Sequence, residues 1–169
     1  MGGRLDSTNV IVPILSVITN IGLDHMQFLG DTHQAIAREK AGIIKRKIPV
    51  VIGQYTEQTL EVFQSISTEL EAPLIIAQDH AYDPYECDLK GAYQQFNQKT
   101  VLTALEVLKT RGFYISEQHI ALGFSQVQKS TGLMGRWQTI GQRPLIICDT
   151  AHNADGLTST MRQLNDSNA

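Results

Sequence analysis

The chain has 169 residues, 42% of them hydrophobic and 18% charged, which suits one soluble domain with a real core and is too short for several. No apolar run reaches the roughly 20 residues of a spanning helix. Met1-Gly2-Gly3-Arg4-Leu5-Asp6 contains no apolar signal region, so the expected setting is the cytoplasm, with no membrane partner. A net charge of −3, with one short basic run at Lys45-Arg46-Lys47, gives no reason for nucleic-acid binding. The basic run is expected to end a helix, where cations meet the negative end of the macrodipole. Cys87 and Cys148 stand far apart and suggest neither a disulfide framework nor a zinc site.

In chain order, Ile14 to Ile21 is rich in β-branched and apolar residues and reads as a buried strand. A polar loop with Asp24 and His25 follows. Asp31 or Thr32 can cap a helix whose apolar positions Ile36, Ile43 and Ile44 share a face. Pro49 stops it, and Val50-Val51-Ile52 is a second strand. A helix from about Glu57 to Leu70 carries Leu60, Phe63, Ile66 and Leu70 at helical spacing, and Leu74-Ile75-Ile76 is a third strand. The alternation, with strands apolar on both faces, predicts an α/β fold: a parallel sheet with flanking helices.

The stretch Gln78 to Asp88 is polar and holds Pro84. A helix from about Gln95 to Lys109 turns Val101, Leu102, Leu105 and Leu108 inward and stops before Gly112. Ser116 can cap a shorter helix ending near Gly123. After glycine turns at Gly132 and Gly135, Leu145 to Cys148 reads as one more buried strand, Asp149 to Gly156 as its loop, and Leu157 to Leu164 as the start of a helix. A lone strand–helix unit cannot bury both faces of its strand, so the last residues are expected to begin a further domain.

Four clusters carry candidate chemistry. Asp24 and His25 follow a strand, where ligands of open parallel sheets sit; the imidazole suits a divalent metal, or the pair simply binds backbone. Lys40 lies on the apolar stripe of its helix. It either snorkels, or is buried, loses proton affinity and becomes able to take up carbon dioxide as a carbamate. Arg136, beside a glycine turn, can reach a phosphate with its planar donors, and Asp149 ends a strand at another ligand position. A surface ion pair or a helix cap is the alternative for both.

Taken in order, Gly2-Gly3-Arg4-Leu5-Asp6-Ser7-Thr8-Asn9, Ile18 to His25, Leu29-Gly30-Asp31-Thr32, Glu39 to Lys45, Gly135-Arg136-Trp137 and Asp149-Thr150-Ala151-His152-Asn153 closely resemble the folylpolyglutamate synthase/dihydrofolate synthase family of the Mur ligase superfamily. The resemblance implies that 1–140 is the C-terminal portion of a P-loop ATPase-like central domain and that 141–169 is the first strand–helix unit of a Rossmann-like domain, cut short. It implies an ATP-dependent ligase that phosphorylates a folate or dihydropteroate carboxylate and lets the amine of L-glutamate displace phosphate. By the same resemblance His25 is a ligand of Mg²⁺ and Lys40 is the carbamate-bearing lysine beside it. Asn97, Arg136, Asp149 and His152 match the ATP-binding set, and Leu5, Asp6 and Ser7 fall on the segment lining the pterin pocket. His25 and Lys40 are therefore expected to come together.

The family's Gly-Lys-Ser phosphate loop and its magnesium-binding serine and glutamate have no counterpart in these residues, and the stretch from Gln78 to Asp88 is short for the family. The chain is accordingly expected to be an internal fragment that is inactive by itself. Another Mur-type amide ligase is the alternative within enzymes, and a non-catalytic binding module the alternative outside them.

Overall fold

The computed structural model describes residues 3–23 and 29–167. Their contacts form two units, residues 1–82 with 99–114 and residues 83–98 with 115–169.

The first unit holds β1 (Ser16–Ile18), α1 (His33–Ala41), β2 (Val50–Ile52), α2 (Glu57–Glu69) and β3 (Leu74–Ile76). The strands form one parallel sheet in the order β1-β2-β3, with Ser16 opposite Val50 and Val50 opposite Leu74. Val50, Val51 and Ile52 are each 0% exposed, which is what an unbroken β-branched run needs in a central strand covered on both faces. Ile18, Val50 and Ile52 pack with Ala37 and Ala41 of α1 and Val62 and Phe63 of α2 to make the core.

Polar caps fix where these helices begin. Thr32 caps α1, its hydroxyl accepting from the Ala35 N–H at 3.2 Å. Thr56 caps α2 in a reciprocal box: its hydroxyl accepts from the Thr59 N–H, and the Thr59 hydroxyl accepts from the Thr56 N–H at 2.9 Å. Replacing Thr56 with alanine is expected to cost about 1 kcal/mol in urea unfolding, as loss of one cap does; no change in midpoint would mean that water replaces the cap.

Several boundaries depart from expectation. β1 covers only Ser16–Ile18, and Ile14 is half-exposed outside it. α1 closes at Ala41, where the Gly42 N–H bonds the Glu39 and Lys40 carbonyls, so Ile43 and Ile44 lie beyond the helix. The basic triplet therefore does not end a helix. Lys45 Nζ donates to the Asn9 carbonyl at 2.8 Å, while Arg46 and Lys47 pair with Glu71 at 2.5 and 3.6 Å. In α3 (Gln94–Thr110), whose later residues belong to this unit, Leu102, Thr100 and Thr103 are buried but Val101 is exposed. Past its end, Gly112 takes φ 92° and the Phe113 N–H bonds the Leu108 carbonyl.

The second unit contains the first turn of α3, then α4 (Glu117–Ser125), α5 (Val127–Thr131), β4 (Gln138–Gln142), β5 (Leu145–Cys148) and α6 (Ala154–Ser167). Ser116 caps α4 as expected, in a reciprocal box with His119. Asp88 ties the polar stretch to α5: its carboxylate accepts from the Gln128 N–H at 2.8 Å, and its carbonyl accepts from Gln128 Nε2 at 2.9 Å. β5 is not the buried strand that its composition suggested. It pairs antiparallel with β4, and Leu145 and Ile146 are exposed, because a two-stranded ribbon with a polar partner offers them no second layer. The boundary expected between residues 140 and 141 falls inside β4.

Candidate functional site

Each unit gathers one cluster of the residues expected to act. In the first, residues Gly3–Leu5 and Ser7–Val10 form two 3₁₀ turns. Asp6 links them, accepting from the Thr8 N–H at 2.9 Å and the Thr8 hydroxyl at 2.6 Å. The two Thr8 bonds, the hydroxyl's first, hold the Asp6 carboxyl below its ordinary range. Leu5 and Ser7 are exposed on either side of it.

This segment interlocks with the turn that ends α1. Arg4 Nε donates to the two Glu39 carboxylate oxygens at 3.2 and 2.9 Å, an ion pair that raises the arginine's pKa. Asn9 Nδ2 donates to the Gly42 carbonyl at 3.0 Å and to the Arg4 carbonyl at 3.2 Å. Gly3 lies against Ile43 and the Lys40 carbonyl so closely that a Cβ there would stand 2.6 and 2.7 Å from them. The Gly-Arg-Leu-Asp-Ser-Thr-Asn and Glu-Lys-Ala-Gly-Ile-Ile-Lys strings are thus the two halves of one joint. Leu5, Asp6 and Ser7 are brought to the turn that carries Lys40. Lys40 itself is half-buried in the last turn of α1, and its ammonium makes no ion pair with another described residue. The expected meeting of His25 with Lys40 cannot be read, since Asp24 and His25 lie outside the described residues. Among the described residues no three His, Cys, Asp or Glu side chains are grouped to hold a metal.

The second cluster is built on the β4–β5 hairpin. Asp149, just past β5, accepts from the Trp137 N–H at 2.7 Å and the Tyr93 hydroxyl at 3.1 Å through Oδ2, and from the Ala151 N–H at 2.8 Å through Oδ1. Arg136 donates to the Thr150 hydroxyl at 2.8 Å, and the Thr150 N–H donates to the Gly135 carbonyl. Gly135 is required twice: its φ is 69°, and a Cβ would stand 2.6 Å from Thr150 Cγ2. Trp137 holds φ 50°, a costly setting for a bulky residue, and its N–H is thereby aimed at Asp149. Burial, then the Asp149 charge and its hydrogen bond, push the Tyr93 hydroxyl's pKa up, with Arg136 acting the other way.

His152, exposed, has Nδ1 3.0 Å from the Thr150 carbonyl, and Asn153 caps α6 by accepting from the Gly156 N–H at 2.8 Å. Arg136, Asp149 and His152 therefore share one loop cluster. Asn97 stands one turn along α3 from Tyr93, where its Nδ2 donates to Gln94 Oε1 at 2.8 Å. Sequence reasoning missed Tyr93, Arg4, Glu39 and Gly42. The signal for the last three lies in the two strings that carry them, but the packing of one string on the other is a tertiary contact that neither shows alone.

No family model matches the chain. Individual proteins do. It is 33% identical over 189 residues to the dihydrofolate synthase/folylpolyglutamate synthase of Bacillus subtilis, covering 96% of this chain and 43% of that protein. The folylpolyglutamate synthase of Lacticaseibacillus casei is 33% identical over 187 residues, covering 97% of this chain and 43% of that protein. An FPGS–AMPPCP–folate complex superimposes with a TM-score of 0.86 at 31% identity, over 98% of this chain and 45% of that one. The chain belongs to the folylpolyglutamate synthase/dihydrofolate synthase family. It spans about 43% of the length of the curated relatives it matches. The α/β architecture expected from the alternation of elements is the family's own over this span, and both clusters fall within it.

Proposed function

We propose that the whole protein to which these residues belong is an ATP-dependent ligase that joins L-glutamate to folate or dihydropteroate. A carboxylate oxygen of the pteridine substrate attacks the γ-phosphorus of ATP and ADP leaves. The glutamate amine then attacks the acyl carbon, phosphate leaves, and the nitrogen gives up a proton to yield the amide. The observation that carries this reading is the joint between residues 3–9 and 39–45, which brings Leu5, Asp6 and Ser7 to the Lys40 turn. The kinship with an FPGS captured with AMPPCP and folate supports it.

In this reading Leu5, Asp6 and Ser7 line the pteridine site, with Leu5 offering apolar surface and Ser7 a hydroxyl. Lys40 acts on charge that develops during phosphoryl transfer. Asn97, Arg136, Asp149 and His152 serve the nucleotide, Arg136 by its planar donors and Asp149 by holding the loop's backbone N–H groups in place. Mg²⁺ accompanies ATP, with His25 as a ligand. An ATPase-like domain is followed by a Rossmann-like one that begins near residue 140. Among the described residues no helix is long and apolar enough to cross a membrane, and we place the enzyme in the cytoplasm.

The test is an assay of the whole protein with ATP and glutamate, using dihydropteroate in one arm and tetrahydrofolate in the other. Glutamate incorporation in either arm is the expected result, and the arms tell dihydrofolate synthesis from polyglutamate extension. No incorporation in either would sink the proposal.

A further inference from the structure

The joint between the two strings holds a glycine whose backbone does not ask for one. Gly42 has φ −60° and ψ −9°, a right-handed helical conformation open to every residue, and alanine would favour the helix it closes. What excludes a side chain there is space. A Cβ on Gly42 would stand 2.4 Å from Arg4 Cβ and 2.7 Å from Arg4 Cα, and the second of these is backbone that cannot swing aside. Any side chain must therefore push the Arg4 backbone away, and Leu5 is the next residue.

Hydrogen bonds hold the approach that the missing side chain allows. Asn9 Nδ2 bridges the Arg4 and Gly42 carbonyls, and Lys45 Nζ, from the far side of the turn, donates to the Asn9 carbonyl at 2.8 Å. The segment so fixed has no buried residue in either of its 3₁₀ turns, and Leu5 is 67% exposed. Tight fixation of a stretch that adds nothing to the core points to what the stretch presents at its surface.

We infer that Gly42 and Lys45 are positioning residues that set where Leu5, Asp6 and Ser7 stand beside the Lys40 turn, and thereby govern affinity for the pteridine substrate. The inference rests on the ligase reading above. Neither residue touches the substrate; both act through the segment. Gly42→Ala displaces the segment sterically, whereas Lys45→Met removes its tether and keeps the aliphatic stem. Two unrelated perturbations thus converge on one effect.

The experiment is steady-state kinetics of the whole enzyme, wild type against Gly42→Ala and Lys45→Met, with melting temperatures measured alongside. A displacement on the order of 1 Å is enough to change rate constants many-fold. Each variant is expected to raise KM for dihydropteroate or folate roughly tenfold while KM for ATP stays within about twofold and Tm within about 3 °C. Equal rises in both KM values, or a loss of kcat with both KM values unchanged, would overturn the inference. If Gly42→Ala does not fold, Lys45→Met decides alone by the same criterion. An inactive wild type overturns the ligase reading and this inference together; an active wild type with indistinguishable variants overturns this inference only.

Discussion

Replacing Lys40 with alanine is expected to lower turnover of the whole enzyme by about 10²–10³, the usual loss when one group that stabilises transition-state charge is removed. Folate affinity should change little, since the role proposed for the residue is on charge that develops only during the reaction. Lys40 sits in the last turn of α1, half-buried, and makes no ion pair with another described residue. Its neighbour Glu39 is engaged with Arg4, so the nearest carboxylate in sequence is already occupied. Its own carbonyl is packed against Gly3, which fixes the backbone from which the side chain extends. A lysine that merely snorkels would behave as an ordinary surface position, worth no more than about 0.5 kcal/mol on substitution. Unchanged turnover with weakened folate binding would give Lys40 a ground-state role instead. Lys40→Arg sharpens the result, because a guanidinium keeps the positive charge but does not form a carbamate. Activity preserved in the arginine variant would mean that the charge is what matters.

Asp149→Ala is expected to destabilise the protein by about 3 kcal/mol in chemical unfolding and to weaken nucleotide binding in the same variant. The Asp149 carboxylate accepts three hydrogen bonds, from Trp137 N, Tyr93 Oη and Ala151 N. Bonds to a charged acceptor contribute about 1.5–3 kcal/mol each, and donors left without a partner add their desolvation cost. Partial exposure of the site and replacement by water reduce the sum to the lower figure. Trp137 is the sensitive point. Its backbone is held at φ 50°, and the bond to Asp149 is the visible compensation. Relaxation there would move Arg136, the preceding residue, away from the Thr150 hydroxyl. Weakened ATP binding with no loss of stability would show instead that the carboxylate serves the ligand and not the loop.

The parallel sheet was legible because its strands are short β-branched runs separated by helical periodicity, and Val50-Val51-Ile52 could hardly be anything but central. Caps were legible too: Thr32 and Ser116 stand where a hydroxyl is needed. Less so was the extent of α1. Ile43 and Ile44 continue its apolar period in sequence, but the helix closes at Ala41, and the residue after it is glycine because the Arg4 segment leaves no room for a side chain. That is a tertiary requirement, and periodicity does not register it. β4 escaped notice since Gln138 to Gln142 is polar and interrupted by Gly141, with a register shift between Thr139 and Gly141. On composition alone β5 therefore reads as a core strand.

For the candidate site, the strings gave the residue types and the family, and the structure added which strings touch. Tyr93 is the clearest omission. Its hydroxyl meets Asp149 across 56 positions of sequence, and no local pattern announces such a pair.

Isotope transfer tests the proposed chemistry most directly. The pteridine substrate is labelled with ¹⁸O in the carboxylate that becomes the amide, and the whole enzyme turns it over with unlabelled ATP and glutamate. Attack of that carboxylate on the γ-phosphorus carries one labelled oxygen into the phosphate released, so inorganic phosphate bearing a single ¹⁸O is expected for each amide formed. Amide formation with unlabelled phosphate, or with AMP and pyrophosphate as products, would contradict it.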